Sequence, residues 1–440
     1  MRSVTVRPVG DRWETWRALR LRALADAPYA FAETLEAATA RTDADWSERV
    51  APRPDRTQLI AEHAGNPVGM AMVVLDPAGP EPYRSANLYA MWVAPQVRRM
   101  GVARALLRAA TFWARAHHVA RLSLHVTIDN PGAAELYLSS GFKDTGTREP
   151  VRPGSTVDGV LMIATLVPAL VMGVVNVTPD SFSDGGELLH PDAAVAHGLA
   201  LIDDGADILD VGGEATNPRA HAVTAVVESA RVMPVIERLV RAGAVVSIDT
   251  TKADVARDAV AAGASIINDI SGGLFDPRIV EAAVDPGITY IAGHLRGRSL
   301  DEVFAAEAAV PWTEIAAELA SRVAALPPAV RSRTWVDPGL GFGKGADPEA
   351  NLELVRRSRD LAERVGCPVV IGASRKRFVH RVLRDCGSSA RGGDPGTPSM
   401  AAVDAASVGV SLGAVRAGAS VVRTHNVALL KAALAVYTKL

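Results

Sequence analysis

From Leu170 onward the sequence repeats one pattern: a short apolar run, a polar tip, then a helix-length stretch. The runs read VMGVVNVT, DILDVGGEAT, AVVSIDTT, SIINDISGG, TYIAGH, TWVDPGLGFGK, PVVIGASRK and SVVRTHN. Apolar runs without alternation fit parallel strands covered on both faces. Between them lie stretches of helical length, among them Asp192–Asp203, Ala222–Arg241, Ala253–Ala262, Trp312–Ala325, Pro348–Arg364 and Asp404–Ala417. Eight strand–helix units over about 270 residues are the expected size of a (β/α)8 barrel. A doubly wound sheet is the alternative, but it more often carries phosphate-binding glycines after its first strand and uses fewer strands.

The polar tips are chemically specific. They are Asn176, Glu214, Thr216, Asp249, Asn268, His294, Asp337, Ser374 with Arg375 and Lys376, and Arg423 with His425. In a barrel, groups that follow separate strands converge on one mouth. Each alone has a simpler explanation: Asp249 caps a helix, Asp337 pins a turn, Arg423 is a surface charge. Together they suggest a site in two halves. Asp249, Asp337 and Asn268 suit a flat heterocycle bearing several N–H donors, because an ionised carboxylate only accepts and an amide does both. Lys376, Arg423 and His425 suit an anion such as pyrophosphate. The Gly/Ser/Pro-rich segment Arg384–Met400 reads as a mobile surface loop.

At 440 residues the chain is too long for one ordinary core, and the first 165 residues read as a separate α/β unit. A helical stretch at Trp13–Leu24 precedes strands at Gln58–His63, Val68–Leu75 and Ala86–Val93. After Val93 a basic turn (Arg98, Arg99, Gly101) enters a helix from about Val102, with Leu106, Leu107, Ala110 and Trp113 on one face. A basic loop at a helix N-terminus is an anion site, since free N–H groups and the helix dipole both favour phosphate. Strands at Arg121–Val126 and Asp158–Leu166 flank DNPGAAELYLSSGF.

These N-terminal pieces resemble the GNAT family of acetyl-CoA-dependent N-acetyltransferases. Arg98-Arg99-Met100-Gly101-Val102-Ala103 is similar to its pyrophosphate loop, and Asn130, Ala133, Leu136, Tyr137, Gly141 and Phe142 fit its second motif. The position of Arg99 is more often glycine in that family. The resemblance implies acetyl-CoA contacts at Val93, Arg98, Arg99, Gly101, Val102, Ala103 and Asn130, with Tyr137 protonating the departing thiolate. The acceptor amine is not legible.

Residues 170–440 resemble dihydropteroate synthase, through NVTPDSFSDGG, GADILDVGGEAT, SIDTTKADVA, INDISGG, DPGLGFGK, GASRKRF and VVRTHNV in order. That resemblance implies displacement of pyrophosphate from 6-hydroxymethyl-7,8-dihydropterin pyrophosphate by p-aminobenzoate, giving 7,8-dihydropteroate. It implies a pterin held by Asp249, Asn268, Asp337 and Lys376, with Asp249 and Lys376 in catalytic roles. Asn176, Arg423 and His425 would hold pyrophosphate, with Mg2+ on its oxygens and Asn176 as the protein's metal ligand. Thr216, Phe342 and Ser374 would line the p-aminobenzoate pocket. Two departures stand out: Asn217 replaces the usual arginine, with Arg219 two residues on, and Gly293 replaces a methionine, which predicts a less filled pterin pocket. Other readings are a methyltetrahydrofolate-type barrel, which has no use for the anion cluster, and a catalytically weak pterin-binding paralogue whose main activity is the GNAT domain.

The expected organisation is thus an N-terminal GNAT α/β domain (1–166) followed by a (β/α)8 barrel (170–440), with Mg2+ and acetyl-CoA as cofactor and cosubstrate. A formal net charge of −2 gives no reason to expect a nucleic-acid or membrane-surface partner. The sequence MRSVTVRPVGDRWE carries charges where a secretory leader needs its apolar core, and Cys367 and Cys386 form no metal spacing. A cytoplasmic enzyme is the expectation, and family precedent suggests a barrel-mediated homodimer.

Overall fold

The computed structural model describes residues 4–77, 84–178, 191–216, 222–305, 308–345, 347–387 and 397–438. It divides into two compact units, Met1–Pro168 and Ala169–Leu440. Among the described residues no helix is long and apolar enough to cross a membrane.

The first unit is a seven-stranded sheet: β1 (Val4–Pro8), β2 (Arg56–His63), β3 (Asn66–Asp76), β4 (Arg84–Val93), β5 (Val119–Thr127), β6 (Lys143–Pro150) and β7 (Asp158–Thr165). Its order is β1-β2-β3-β4-β5-β7-β6. The β2–β3 hairpin turns on Ala64 and Gly65, both left-handed (φ 53° and 77°), the two-residue turn that matches strand twist. Helix Val102–Ala116 packs Val102, Leu106, Leu107 and Ala110 on one face of the sheet, while Trp16, Leu19, Ala23 and Trp46 fill the other. Gly69 allows the first contact, since a Cβ there would lie 3.1 Å from Leu106 and 3.3 Å from Val102. Strand β6 and the helices Leu35–Thr39 and Asp43–Val50 had no expectation from sequence. Every residue of β6 is exposed, so KDTGTREP carries no apolar alternation to read.

β4 and β5 are the only parallel neighbours of this sheet among the described strands, and they pair only from Arg84 to Asn87. Beyond Asn87 the ladder ends although both strands continue, which opens a wedge between their C-terminal halves. A bulge in β4 at left-handed Ala90 (φ 53°) bends the same strand.

The second unit is built on eight parallel strands: β8 (Leu170–Asn176), β9 (Ile208–Gly212), β10 (Val246–Asp249), β11 (Ile266–Asp269), β12 (Thr289–Gly293), β13 (Thr334–Asp337), β14 (Val370–Ile371) and β15 (Val421–Thr424). They run in the order β13-β12-β11-β10-β9-β8-β15-β14. A bridge between Val336 and Val369 brings the two ends of that order together. This is a barrel, with helices alternating with its strands.

The expected single helix Pro348–Arg364 is two helices, Pro348–Arg356 and Ser358–Val365. At the break, the Arg359 amide donates to the Ala417 carbonyl (2.8 Å), a tertiary partner in place of a helical one, while the Ser358 hydroxyl donates back to the Val355 carbonyl (2.8 Å). The helix expected at Asp404 starts earlier, at Met400, capped by the Ser399 hydroxyl. Residues 388–396 of the segment read as a mobile loop lie outside the described residues.

Candidate active site

In the first unit, Gly101 (φ 84°) is the N-cap of helix Val102–Ala116 and offers no side chain to cap its first-turn amides. Arg99 is itself left-handed (φ 64°) and exposed. That backbone explains why glycine is the easier residue there, at a cost of about 1–2 kcal/mol for any other. Arg98 is turned the other way: its Nε donates to the Val93 carbonyl (3.0 Å) and its guanidinium bonds Asp26, which also accepts from Trp92 Nε1 (2.9 Å). The basic loop after β4 is thereby tied to the end of helix Trp13–Asp26. Asn130 caps helix Pro131–Ser139 through Oδ1, which accepts the Ala133 amide (3.1 Å). Tyr137 is buried against Phe142, ring centroids 5.7 Å apart, and burial pushes its phenol pKa up. A phenol held neutral in this way is a proton donor.

In the second unit, a chain of hydrogen bonds crosses the barrel mouth. The Arg423 guanidinium, on β15, donates through Nε to Asp210 (2.6 Å) and through Nη2 to Asp249 (2.8 Å). Asn268, on β11, donates through Nδ2 to the same oxygen of Asp210 (3.0 Å). Burial and the neighbouring Asp210 push the Asp249 carboxyl up to about 7, against the pull of Arg423. Burial opposes the Arg423 charge, but Asp210, Asp249 and Asp337 outweigh it and hold its pKa above the ordinary value.

Asp337 ends β13 and accepts the Gly339 amide (2.7 Å); burial raises its pKa while that bond, Lys376 and Arg423 oppose the rise. The Lys376 ammonium sits over the Phe342 ring, 3.9 Å from its centroid, and burial lowers its pKa to about 8. Asp249, Asn268, Asp337, Lys376, Arg423 and Phe342 therefore belong to one charged neighbourhood.

Other expected residues divide. Asn176 and Thr216 stand at or just beyond the C-terminal ends of β8 and β9, next to 179–190 and 217–221, which lie outside the described residues together with Asn217 and Arg219. Ser374 lies against His425: its hydroxyl accepts the His425 amide (3.2 Å) and lies 3.0 Å from Nδ1. Burial, Arg423 and Arg375 lower the His425 pKa to about 3, so this ring is neutral rather than a cation of the anion cluster. Gly293 is not a gap in the pocket. A Cβ there would meet the Ile270 carbonyl at 2.4 Å, so the missing side chain makes room for backbone. His294, read as a mouth residue, is 1% exposed, and its Nε2 lies 3.0 Å from Glu318.

Sequence reasoning missed two residues. Asp210 is fully buried in the middle of β9, and a charge inside an apolar run was the signal that could have found it. Lys344 is 2% exposed, with Nζ on the Phe342 carbonyl (2.8 Å), the His294 carbonyl (3.2 Å) and His294 Nδ1 (3.1 Å). It anchors the backbone of Phe342, and burial lowers its pKa to about 7.

No group of three or more His, Cys, Asp or Glu able to hold a metal ion is found among the described residues. Asn176 offers one hard oxygen, which fits a Mg2+ that takes its other ligands from phosphate and water.

A parallel eight-stranded barrel with acceptors and cations at its strand ends, preceded by a splayed mixed sheet with a basic loop at a helix N-terminus, defines a two-part transferase architecture. Residues 172–425 match the family model of pterin binding enzymes, and residues 16–142 match that of the GNAT acetyltransferase family. The chain belongs to the pterin-binding enzyme family and carries a GNAT acetyltransferase domain ahead of its barrel. A dihydropteroate synthase of Mycobacterium leprae is 40% identical over 269 residues, covering 60% of this chain and 90% of that protein. A folate synthesis bifunctional protein of Arabidopsis thaliana is 34% identical over 275 residues, covering 58% of this chain and 54% of its own length. The solved Xanthomonas albilineans dihydropteroate synthase with 4-aminobenzoic acid superposes with a TM-score of 0.52 at 39% identity, covering 63% of this chain and 94% of that one.

Proposed function

We propose that the barrel is a dihydropteroate synthase, joining 6-hydroxymethyl-7,8-dihydropterin pyrophosphate to p-aminobenzoate with release of pyrophosphate. The observation that carries this reading is the mouth itself. Asp249, Asn268 and Asp337 supply acceptors for a ring rich in N–H donors, and Lys376 sits beside them over Phe342. Arg423 uses two of its five N–H donors on Asp210 and Asp249, which leaves donors for an anion.

In the reaction, the bond from the pterin methylene carbon to the pyrophosphate oxygen breaks and a bond to the arylamine nitrogen forms, and the amine proton passes to the released pyrophosphate or to water. The arylamine is a poor nucleophile, so the gain lies in departure of the leaving group. Arg423 stabilises the charge developing on pyrophosphate, and His425 adds a neutral contact. Asp249 and Asp337 hold the ring and oppose the positive charge that spreads into it. Asn176 would hold Mg2+ jointly with the pyrophosphate, and the ion supplies charge neutralisation there. Thr216 and Phe342 border the p-aminobenzoate side, while the Ser374 hydroxyl lies against His425. Dihydropteroate formation by the purified chain, dependent on Mg2+ and lost in Asp249→Ala, tests this; no product with pterin still bound would refute it.

For residues 1–166 the reading is an acetyl-CoA-dependent N-acetyltransferase of unassigned acceptor, with residues 170–440 as the synthase. The β4–β5 wedge and the helix N-terminus at Gly101, which no side chain caps, support it, with Tyr137 as the acid for the thiolate. Calorimetry with acetyl-CoA tests binding, and absence of heat and of competition by coenzyme A would refute it. The barrel is further read as a cytoplasmic homodimer. Helix Met400–Arg416 exposes Ala401, Ala405, Gly409 and Gly413, with Gly409 and Gly413 lining a cavity of about 380 Å³; light scattering checks the mass.

A further inference from the structure

Ser374 follows β14 and His425 follows β15, and the pairing of these two strands brings the residues together. The Ser374 hydroxyl is already an acceptor, because the backbone N–H of His425 donates to it at 3.2 Å. Its oxygen also lies 3.0 Å from His425 Nδ1. Ser374 is 9% exposed, and among the described residues Nδ1 is the acceptor its own proton reaches. If Nδ1 carried the hydrogen, the serine proton would be buried without a partner, which is costly. The arrangement that satisfies both groups has the hydroxyl donating to Nδ1, which leaves the ring hydrogen on Nε2.

The surroundings keep the ring in a single charge state. Arg423, Arg375 and Lys376 all bear on it electrostatically, with Asp404 as the one opposing carboxylate among its main electrostatic neighbours, and Asp404 is itself taken by Arg375 Nε (2.8 Å) and Asn426 Nδ2 (3.2 Å). A second proton on the imidazole would give it a positive charge beside three cations. Nδ1 being occupied, Nε2–H is the ring's remaining donor.

We propose that Ser374 is a positioning residue that locks His425 as the neutral Nε2–H tautomer, so that the ring gives the departing pyrophosphate a hydrogen-bond donor without a charge. This assigns Ser374 to the leaving-group side of the site, and it rests on the synthase reading above. Arg423 then supplies the positive charge and His425 supplies direction. A histidine whose tautomer is set beforehand does not have to reorganise when the carbon–oxygen bond breaks.

The test combines a spectroscopic and a kinetic readout on the full chain. With 15N-histidine labelling and His425 identified by its loss in His425→Gln, the wild type should show a proton on Nε2 and a bare Nδ1. Ser374→Ala should mix the two tautomers and lower kcat/KM for the pterin pyrophosphate by about three- to tenfold, the loss of one neutral hydrogen bond. The KM for p-aminobenzoate should stay within about twofold, and Ser374→Thr, which keeps the hydroxyl, should restore most of the loss. A wild-type proton on Nδ1, a tautomer unchanged in Ser374→Ala, or a defect confined to the KM of p-aminobenzoate would each overturn the proposal. The ring's state is read without turnover, so a barrel that makes no dihydropteroate would sink the synthase reading while the spectrum still decides this one.

Discussion

Asp210 is the residue whose removal most directly probes the arrangement of the mouth. Asp210→Ala deletes two bonds at once, from Arg423 Nε at 2.6 Å and from Asn268 Nδ2 at 3.0 Å. Loss of a buried ion-pair partner costs about 3–5 kcal/mol. Here Asp249 stays bonded to Arg423 and relieves part of that, so about 2–4 kcal/mol is expected. For a domain of this size each kcal/mol moves Tm by about 2–4 °C, so the barrel transition should fall by about 4–16 °C. Function should suffer beyond stability. Without Asp210 the Asp249 carboxyl loses a like-charge neighbour that raises its pKa, and Arg423 loses the partner that aims it. Differential scanning calorimetry and steady-state kinetics on Asp210→Ala and Asp210→Asn are the assays. The isosteric Asn variant should keep more stability yet lose kcat/KM for the pterin. A wild-type Tm together with wild-type kinetics in Asp210→Ala would refute the account of Asp210 as the hub of the mouth.

Gly293→Ala should cost about 1–3 kcal/mol or more by overpacking against the Ile270 backbone, read as a lower barrel Tm; an unchanged melt would revive the idea of an open pocket. The pH dependence of pterin binding has a definite sign. With Asp249 raised to about 7, ring N–H donors favour its ionised form, so binding should release protons at pH 6.5 and tighten as pH rises through 7. Calorimetry in buffers of different ionisation enthalpy measures that count, and zero protons released would refute it. By the same linkage, Asp249 contributes stability that is fully present below its unfolded pKa of about 4 and is lost as pH rises through about 7. Tyr137→Phe should lower acetyl-transfer turnover by about 10²-fold with acetyl-CoA affinity unchanged, separating proton donation from packing.

The strand tips were legible because each interrupts an apolar run, and Asp249, Asn268, Asp337, Lys376 and Arg423 could be grouped from order alone. Asp210 escaped because it lies within such a run, where its side chain faces the other strands rather than following its own. The link between Ser374 and His425 depends on two strands meeting across the barrel, which no local spacing encodes. Gly293 misled in the opposite direction: its neighbour in space is the Ile270 backbone, on a different strand connection. Strand β6 has no burial contrast, and the break at Arg357 depends on a carbonyl from Ala417.

The barrel's seam lies between β13 and β14, where one bridge, Val336 to Val369, stands beside a strand of two residues. Asp337 hangs from one lip of that seam and Lys376 follows the other. A ring held by so thin a link breathes there first, and its breathing changes the spacing of these two groups before any other pair in the mouth. A heterocycle that touches both Asp337 and Lys376 acts as a further rung, so substrate would stiffen the cylinder as well as occupy it. Hydrogen exchange should report this as slower loss of the Val336 amide proton, which donates to Pro368 at 2.9 Å, with little change at Val211 on the opposite wall.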